Sequence, residues 1–459
     1  MEQRYLTKSA LDNFYYSLPI VPIIADSVGR SFYVSTSGSD ASNGRSVDTP
    51  WLSIAKVNAQ SFLPGDTINF KGAFTGTTSL IVPSSGNASG FITFRKWPGN
   101  TASIDNTAGY GMRASGKHHI VFNGLDGTAG TRNYYLYDCT YATITNATVK
   151  AAVADEGCIV VEASLATTSH HITISNITSD AQPGWTISIG SGITVQQDSI
   201  IMDNINCTNI AGGGAVQHHG IYLKNCTNFR IARSTVTNPY HGAIKLVQTA
   251  GKTVSGRISQ NKLTGYGVGG SGAGLSLDAI TGQLIIDNNH IADGLYNAGI
   301  YSLSRSDNIE VYNNTIARNY YGIELLTGST GWKIKNNNIM QDNAWLASSY
   351  RSCIKLAAEA DIANNTFSNN NYRHKNGAGV HAPIRRDAGD PITLAAWQAL
   401  ATDPNSISVD PLFTTAYTNL HLQSGSTLRS AGTPISGIEN DKDNTALDAT
   451  PDIGCYQYV

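Results

Sequence analysis

A three-residue step, apolar-x-Asn, followed shortly by another apolar residue, returns along this chain and limits what it can fold into. It appears at Ile144-Thr-Asn146, Ile174-Ser-Asn176, Met202-Asp-Asn204, Ile286-Asp-Asn288, Val311-Tyr-Asn313, Ile334-Lys-Asn336 and Ile362-Ala-Asn364. Ile231-Ala-Arg233 and Ile258-Ser-Gln260 fill the gaps without asparagine. The step recurs about every 22 to 30 residues, the length of one coil in a solenoid of stacked strands. A second repeat interleaves with it, a small residue and then apolar-x-apolar, at Gly157-Cys-Ile-Val-Val161, Gly192-Ile-Thr-Val195, Gly220-Ile-Tyr-Leu223, Gly274-Leu-Ser-Leu277, Gly322-Ile-Glu-Leu325 and Cys353-Ile-Lys-Leu356. Each coil therefore carries at least two strands. Alternation sends the apolar members inward and the intervening residues outward. Asparagine suits the corners, because it tolerates a left-handed bend and its amide can bond to another amide one coil away. The pattern predicts an all-β chain, a parallel β-helix of roughly ten rungs.

Composition agrees with many short strands joined by tight turns: charged residues make up 14% of the 459, and glycine reaches 45. A net charge of −2 supplies no field for nucleic acid or an anionic membrane surface, so neither is an expected partner. No stretch approaches the roughly 20 apolar residues of a membrane span. The one early apolar run, Leu18 to Ala25, is broken by Pro19 and Pro22, so no conventional signal peptide is evident. Cys139, Cys158, Cys207, Cys226, Cys353 and Cys455 show no metal-ligand spacing and read as buried thiols.

The opening and closing segments carry a resemblance. Phe32-Tyr-Val-Ser-Thr-Ser-Gly-Ser-Asp40, Asn43-Gly44, Thr49-Pro-Trp51 and Leu63-Pro-Gly-Asp-Thr-Ile68 resemble the start of pectin-lyase-like right-handed parallel β-helix proteins. Trp397-Gln398, Asp403, Asp410-Pro-Leu-Phe413, Leu420-His-Leu422 and Asp452-Ile-Gly-Cys-Tyr456 are similar to the closing segment of secreted and phage-associated members. The resemblance implies a right-handed coil and a carbohydrate-active enzyme: chiefly polysaccharide lyases, with some glycoside hydrolases, uronan epimerases and phage tailspike depolymerases. It implies an extracellular or virion-associated protein, a polysaccharide partner, and a monomer or phage-type homotrimer. Neither the aspartate, Gly-His-Gly and Arg-x-Lys signature of polygalacturonases nor the Asp-Pro-His motif of alginate epimerases is present. The expected organisation is an N-terminal extension or cap over 1–30, the β-helix over 31–368, and a loop, short helix and capping segment over 369–459. Leu11 to Ala25 could form a lid, Asn369 to Asp390 reads as a wrapping loop, and Thr393 to Leu400 as the helix.

Aligning the second repeat gives an outward column: Thr194, Tyr222, Lys245, Ser276, Tyr301, Glu324 and Lys355, with Lys224 and Asp278 one outward step further along. The residues before each small residue form another, Glu156, Ser191, His219, Gly242, Ala273, Ala298, Tyr321 and Ser352, with His241 one place early. The densest cluster is Gln217-His-His-Gly-Ile-Tyr-Leu-Lys224 with Tyr240-His-Gly-Ala-Ile-Lys245 one rung later. Eliminative cleavage of a uronic-acid chain needs a cation for the carboxylate, a base for the neighbouring proton and an acid for the departing oxygen. Histidine, tyrosine and lysine supply those roles. The expected base is His241 or Lys245 and the acid Tyr222, with His219, Lys224, Tyr240, Asp278, Tyr301 and Glu324 completing the site or holding substrate. The same residues on a solvated sheet face would do none of this.

A hydrolase would need two carboxylates, and Asp278 with Glu324, two rungs and about 10 Å apart, are the outward pair on offer. A non-catalytic phage fibre or adhesin is a further reading, because Tyr222, Tyr301, Tyr320 and Tyr321 could stack on sugars without cleaving them. No cofactor is expected. Calcium is conceivable where Asp155, Glu156 and Glu162 gather, whereas Asp441, Asp443 and Asp448 read as part of the closing cap.

Overall fold

The computed structural model describes residues 29–151, 157–164, 169–180, 184–190, 195–211, 218–341, 352–374, 384–386, 392–415 and 419–458. The strands among them form two long parallel sheets, of 22 and 12 strands, and one antiparallel pair, Phe413–Thr415 with Asn419–Leu422. Most later coils lay down three strands, while earlier ones such as that of Ile159–Glu162 run into one long strand, His170–Asp180, that passes through the corner. A representative coil runs along Leu275–Asp278 in the smaller sheet, crosses to Leu284–Asp287, turns at Asn288 and continues as His290–Ala292. The next coil begins at Ala298–Ser302, beside the first. The chain is therefore a right-handed parallel β-helix, and its smaller sheet is 12 strands deep. The coils of Leu80–Ile81 and Met112–Ser115, which precede the first corner asparagine, Asn146, supply part of that depth.

The corners explain the repeat. Asn146, Asn176, Asn204, Arg233, Gln260, Asn288, Asn313 and Asn336 all have φ between 49° and 59°, so the two gap-filling residues make the same left-handed bend as the asparagines. Asn364 departs from the pattern: it ends the 3-10 helix Glu359–Asn364, and the corner passes to Asn369 at φ 54°. Two amide ladders follow from the stacking. On the outside, Asn146 donates to Asn123 at 2.9 Å, Asn176 to Asn146 at 3.0 Å and Asn204 to Asn176 at 2.7 Å. Inside, from Gln260 onward, the residue after each corner carries a buried ladder, Asn261, Asn289, Asn314, Asn337 and Asn370. Both the backbone N–H and the side-chain amide of each of the first four donate to the next Oδ1 at 2.9–3.1 Å. All six cysteines are free and buried, five of them in the coil and Cys455 in the C-terminal tail.

At the N-terminal end Trp51 stacks on Phe32 with centroids 5.2 Å apart, and Phe62 meets Phe32 edge-on. Gly44, at φ +67°, lies so close that a Cβ would sit 2.3 Å from the Trp51 ring, which accounts for the Asn43-Gly44 and Thr49-Pro-Trp51 motifs occurring together. Residues 1–28, and with them the lid expected over Leu11 to Ala25, lie outside the described residues. The stacking does not stop at 368, where a loop was expected: Asn371–His374 pairs with Asn338–Gln341, and Ile384–Arg386 with Ser352–Leu356. The C-terminal helix is Leu394–Ala401, capped by the Thr393 hydroxyl accepting from Ala396, and it buries Trp397 against Phe367.

Beyond the helix the tail runs back along the outer flank of the larger sheet. Asn369 and Asn336 donate to Ala431 and Thr433, Asn288 to Asn440, and Gln260 to Asp441. Leu428 and Ile453 bury Ala292, Ala317 and Met340, while Ile438 packs on Ile285 and Tyr312. Asp441 lies buried here, its carboxylate taking N–H groups from Asp443, Thr445 and Gln457, so it fastens the flank strap and not an end cap.

Candidate functional site

Strand register defines the outward floor of the smaller sheet. Partner by partner it reads Arg113, Tyr135, Val160, Ser188, Tyr222, Lys245, Ser276, Tyr301, Glu324 and Lys355. The stretch from Tyr222 onward is the order expected from the repeat. Ser188 stands where Thr194 was expected, because the strand of that coil is Ile187–Ile189, and 191–194 lie outside the described residues. Lys224 and Asp278 lie one outward step along, both in register with Val247.

Tyr222 and Lys245 are direct partners on adjacent strands, both half-buried. Burial pushes the Tyr222 phenol up to about 12, with the Asp278 carboxylate adding to it. Burial lowers the Lys245 ammonium below its ordinary value, opposed by the same Asp278. Trp185, not singled out by sequence, stands beside them: its ring lies 5.8 Å from Tyr222 and 6.2 Å from His218. It occupies the same place before its strand as His219 does before the next, two residues ahead of the Ile187 and Ile221 partners.

The histidines share this wall, with His219 and His241 rings 6.3 Å apart. His219 was expected at the reacting centre or on substrate, but its side chain is sealed in the wall at 3% exposure. Its Nδ1 accepts the Gly242 N–H at 3.2 Å, which leaves the ring proton on Nε2, a buried atom without a hydrogen bond. Burial, then Lys245 and His241, hold its pKa down to about 3. His241 is half-exposed and its Nδ1 accepts the His218 N–H at 3.0 Å. A neutral His241 therefore presents Nε2–H outward, a donor and not a base. Burial, His218 and Lys245 keep it neutral by lowering its pKa. Tyr240 packs edge-on against His241 at 4.9 Å.

Further along the floor Tyr301 remains half-buried between Ser276 and Glu324. Glu324 is buried and ion-paired with Lys355 at 2.7 Å, and Asp278 accepts the Ser304 hydroxyl at 2.5 Å, so the expected hydrolytic pair is already engaged within the protein. Asp155 and Glu156 lie outside the described residues, and Glu162 turns to the Tyr135 hydroxyl at 2.9 Å. Among the described residues no three His, Cys, Asp or Glu side chains converge to hold a metal ion, and no helix is long and apolar enough to cross a membrane.

The fold and this sheet face define a right-handed β-helix protein, and a family model for the right-handed β-helix region matches residues 166–339 and 219–383. Solved structures with the same fold include the pectate lyase Pel9A, 18% identical with a TM-score of 0.52 over 94% of this chain and 96% of that one. The complex of XylC with xylose is 11% identical, with a TM-score of 0.60 over 94% and 98% of the two chains. No curated protein matches the sequence.

Proposed function

We propose that this face cleaves an acidic, uronic-acid-containing polysaccharide by β-elimination, with Lys245 as the base. The observation that carries the reading is the register pairing of Tyr222 with Lys245 on adjacent strands, about 4.8 Å apart, with Trp185 and His241 beside them. A lysine partly stripped of water can give up its proton and act as a base. The neutral Nζ takes the proton from the carbon beside the substrate carboxylate. The freed electron pair forms the carbon–carbon double bond as the carbon–oxygen bond to the departing chain breaks. Tyr222, protonated up to about pH 12, delivers its proton to that oxygen. Lys224, one outward step along the strand, neutralises the carboxylate. His241 donates from Nε2, and His219 holds the Gly242 corner without touching substrate. Tyr240 and Tyr301 line the path, while Glu324 stays paired with Lys355 and Asp278 tunes the charge at Lys245 and Tyr222.

The test is incubation of wild-type protein and Lys245→Ala with polygalacturonate, alginate and hyaluronate, following the ultraviolet absorbance of an unsaturated sugar end. Wild type forms that product and Lys245→Ala loses about 10²–10⁴-fold in rate, the range for removal of a general base. Full turnover in Lys245→Ala, or reducing ends without the chromophore, would sink the eliminative mechanism. Retention of a polymer with no product at all would instead mark a binding fibre. The pH profile gives a second check: the rate rises with pH as Lys245 deprotonates, with an apparent pKa below 10.5, and falls towards about 12 as Tyr222 loses its proton.

A further inference from the structure

We propose a second recognition site on the same face, centred on Arg113 and the Tyr110–Tyr135 pair, which binds the carboxylate of another acidic sugar in the same polymer. It rests on the reading of the groove as a path for an acidic polysaccharide. Register puts Arg113 and Tyr135 in the same outward column as Tyr222 and Lys245. Between Tyr135 and Tyr222 the column carries Val160 and Ser188, both buried. Four rungs, about 19 Å, separate Arg113 from Tyr222.

The local packing is that of a clamped platform. Tyr110 and Tyr135 stack with centroids 5.0 Å apart and planes 13° apart. The Arg113 guanidinium lies 5.6 Å from the Tyr110 centroid and 5.8 Å from that of Tyr135. Arg132 lies over the same rings, at 5.8 and 4.7 Å, and approaches Glu162 to 3.9 Å. The carboxylate of Glu162 is thus shared by the Tyr135 hydroxyl and Arg132. Arg113 is held by ring contacts but, among the described residues, makes neither an ion pair nor a hydrogen bond, and it is only half-buried. A planar donor fork fixed in orientation and short of an acceptor suits a carboxylate, and the tyrosine beside it suits a sugar face.

The experiment uses the full-length chain in the Lys245→Ala background, run through gels containing polygalacturonate, alginate or hyaluronate. Parent protein is retarded on at least one gel, and Arg113→Gln weakens the apparent Kd there by about tenfold. Tyr110→Ala weakens it too, and Arg113→Lys recovers part of the loss. Thermal melting confirms that each variant is folded, and the lysine variant keeps the test valid if the glutamine one is not. Unchanged retention in Arg113→Gln, or no retardation of the parent on any gel, overturns the proposal. Weakened retention in Arg113→Gln alongside full turnover in Lys245→Ala would remove the eliminative mechanism and leave this site standing. The opposite pattern would remove only this site.

Discussion

A histidine sealed in the wall of a sheet responds to acid differently from one facing water. His219 and His290 are both buried, and both are held at about 3, chiefly by burial, against the 6.5 of an exposed imidazole. Below that upper value the unfolded chain takes up protons that the folded chain refuses, so stability is full above about pH 6.5 and drains away as pH falls towards 3. Urea unfolding is expected to show a midpoint that drops over this window, and the double variant His219→Gln with His290→Gln to flatten it. An equal slope in the variant would assign the acid sensitivity elsewhere. At this scale the sequence was informative where residues followed the repeat: Tyr222, Lys245, Ser276, Tyr301 and Glu324 fall in one column as their spacing requires. It was silent where a side chain enters the site from a turn. Trp185 precedes a strand whose Ile-Ser-Ile sequence lacks the small leading residue, so the apolar Ile193-Thr-Val195 looked the better match. The direction of a histidine's free nitrogen depends on which backbone N–H faces the other, and no spacing rule reveals that.

Among the elements, the two asparagine ladders differ in burial, and so in what their loss costs. Asn314 is wholly buried, accepts from both the backbone and side chain of Asn289, and donates to Ile286, Tyr312 and Asn337. Asn314→Ala strands several buried polar groups at about 1–3 kcal/mol each, so a loss of about 3 kcal/mol or more is expected. Asn176 belongs to the exposed ladder, where water replaces the lost amide, and Asn176→Ala is expected to cost about 1 kcal/mol or less. Equilibrium unfolding of the two variants checks the ordering, and equal losses would contradict it. The corner asparagines were legible in the sequence because a left-handed bend favours them. The inner ladder was not: it begins one residue later, and only stacking shows that the second asparagine of each pair points into the coil.

For the whole molecule, the tail decides which coils are fastened. It binds the larger sheet from Arg257 to Asn369 and leaves the coils before Arg257 without such a strap among the described residues. Ending the chain after Gln423 removes Leu428, Ile438 and Ile453, exposes Ala292, Met340, Ile285 and Tyr312, and is expected to lower Tm by about 5 °C or more. Hydrogen exchange would show the loss concentrated in the strands between Gly256 and Gln341, and uniform protection across the rod would argue against the strap. The closing motifs were visible in the sequence, but their destination was not, since a segment without repeats carries no register.

Because every coil advances the chain by one strand spacing, the offset between Arg113 and Lys245 works as a ruler graduated in whole turns. Duplicating a single turn between them would move Arg113 relative to Lys245 by about 4.8 Å while leaving both sets of side chains intact. On the roles proposed for Arg113 and Lys245, copying a stretch of gene would retune such a protein to fragments of a different length, with no redesign of its chemistry.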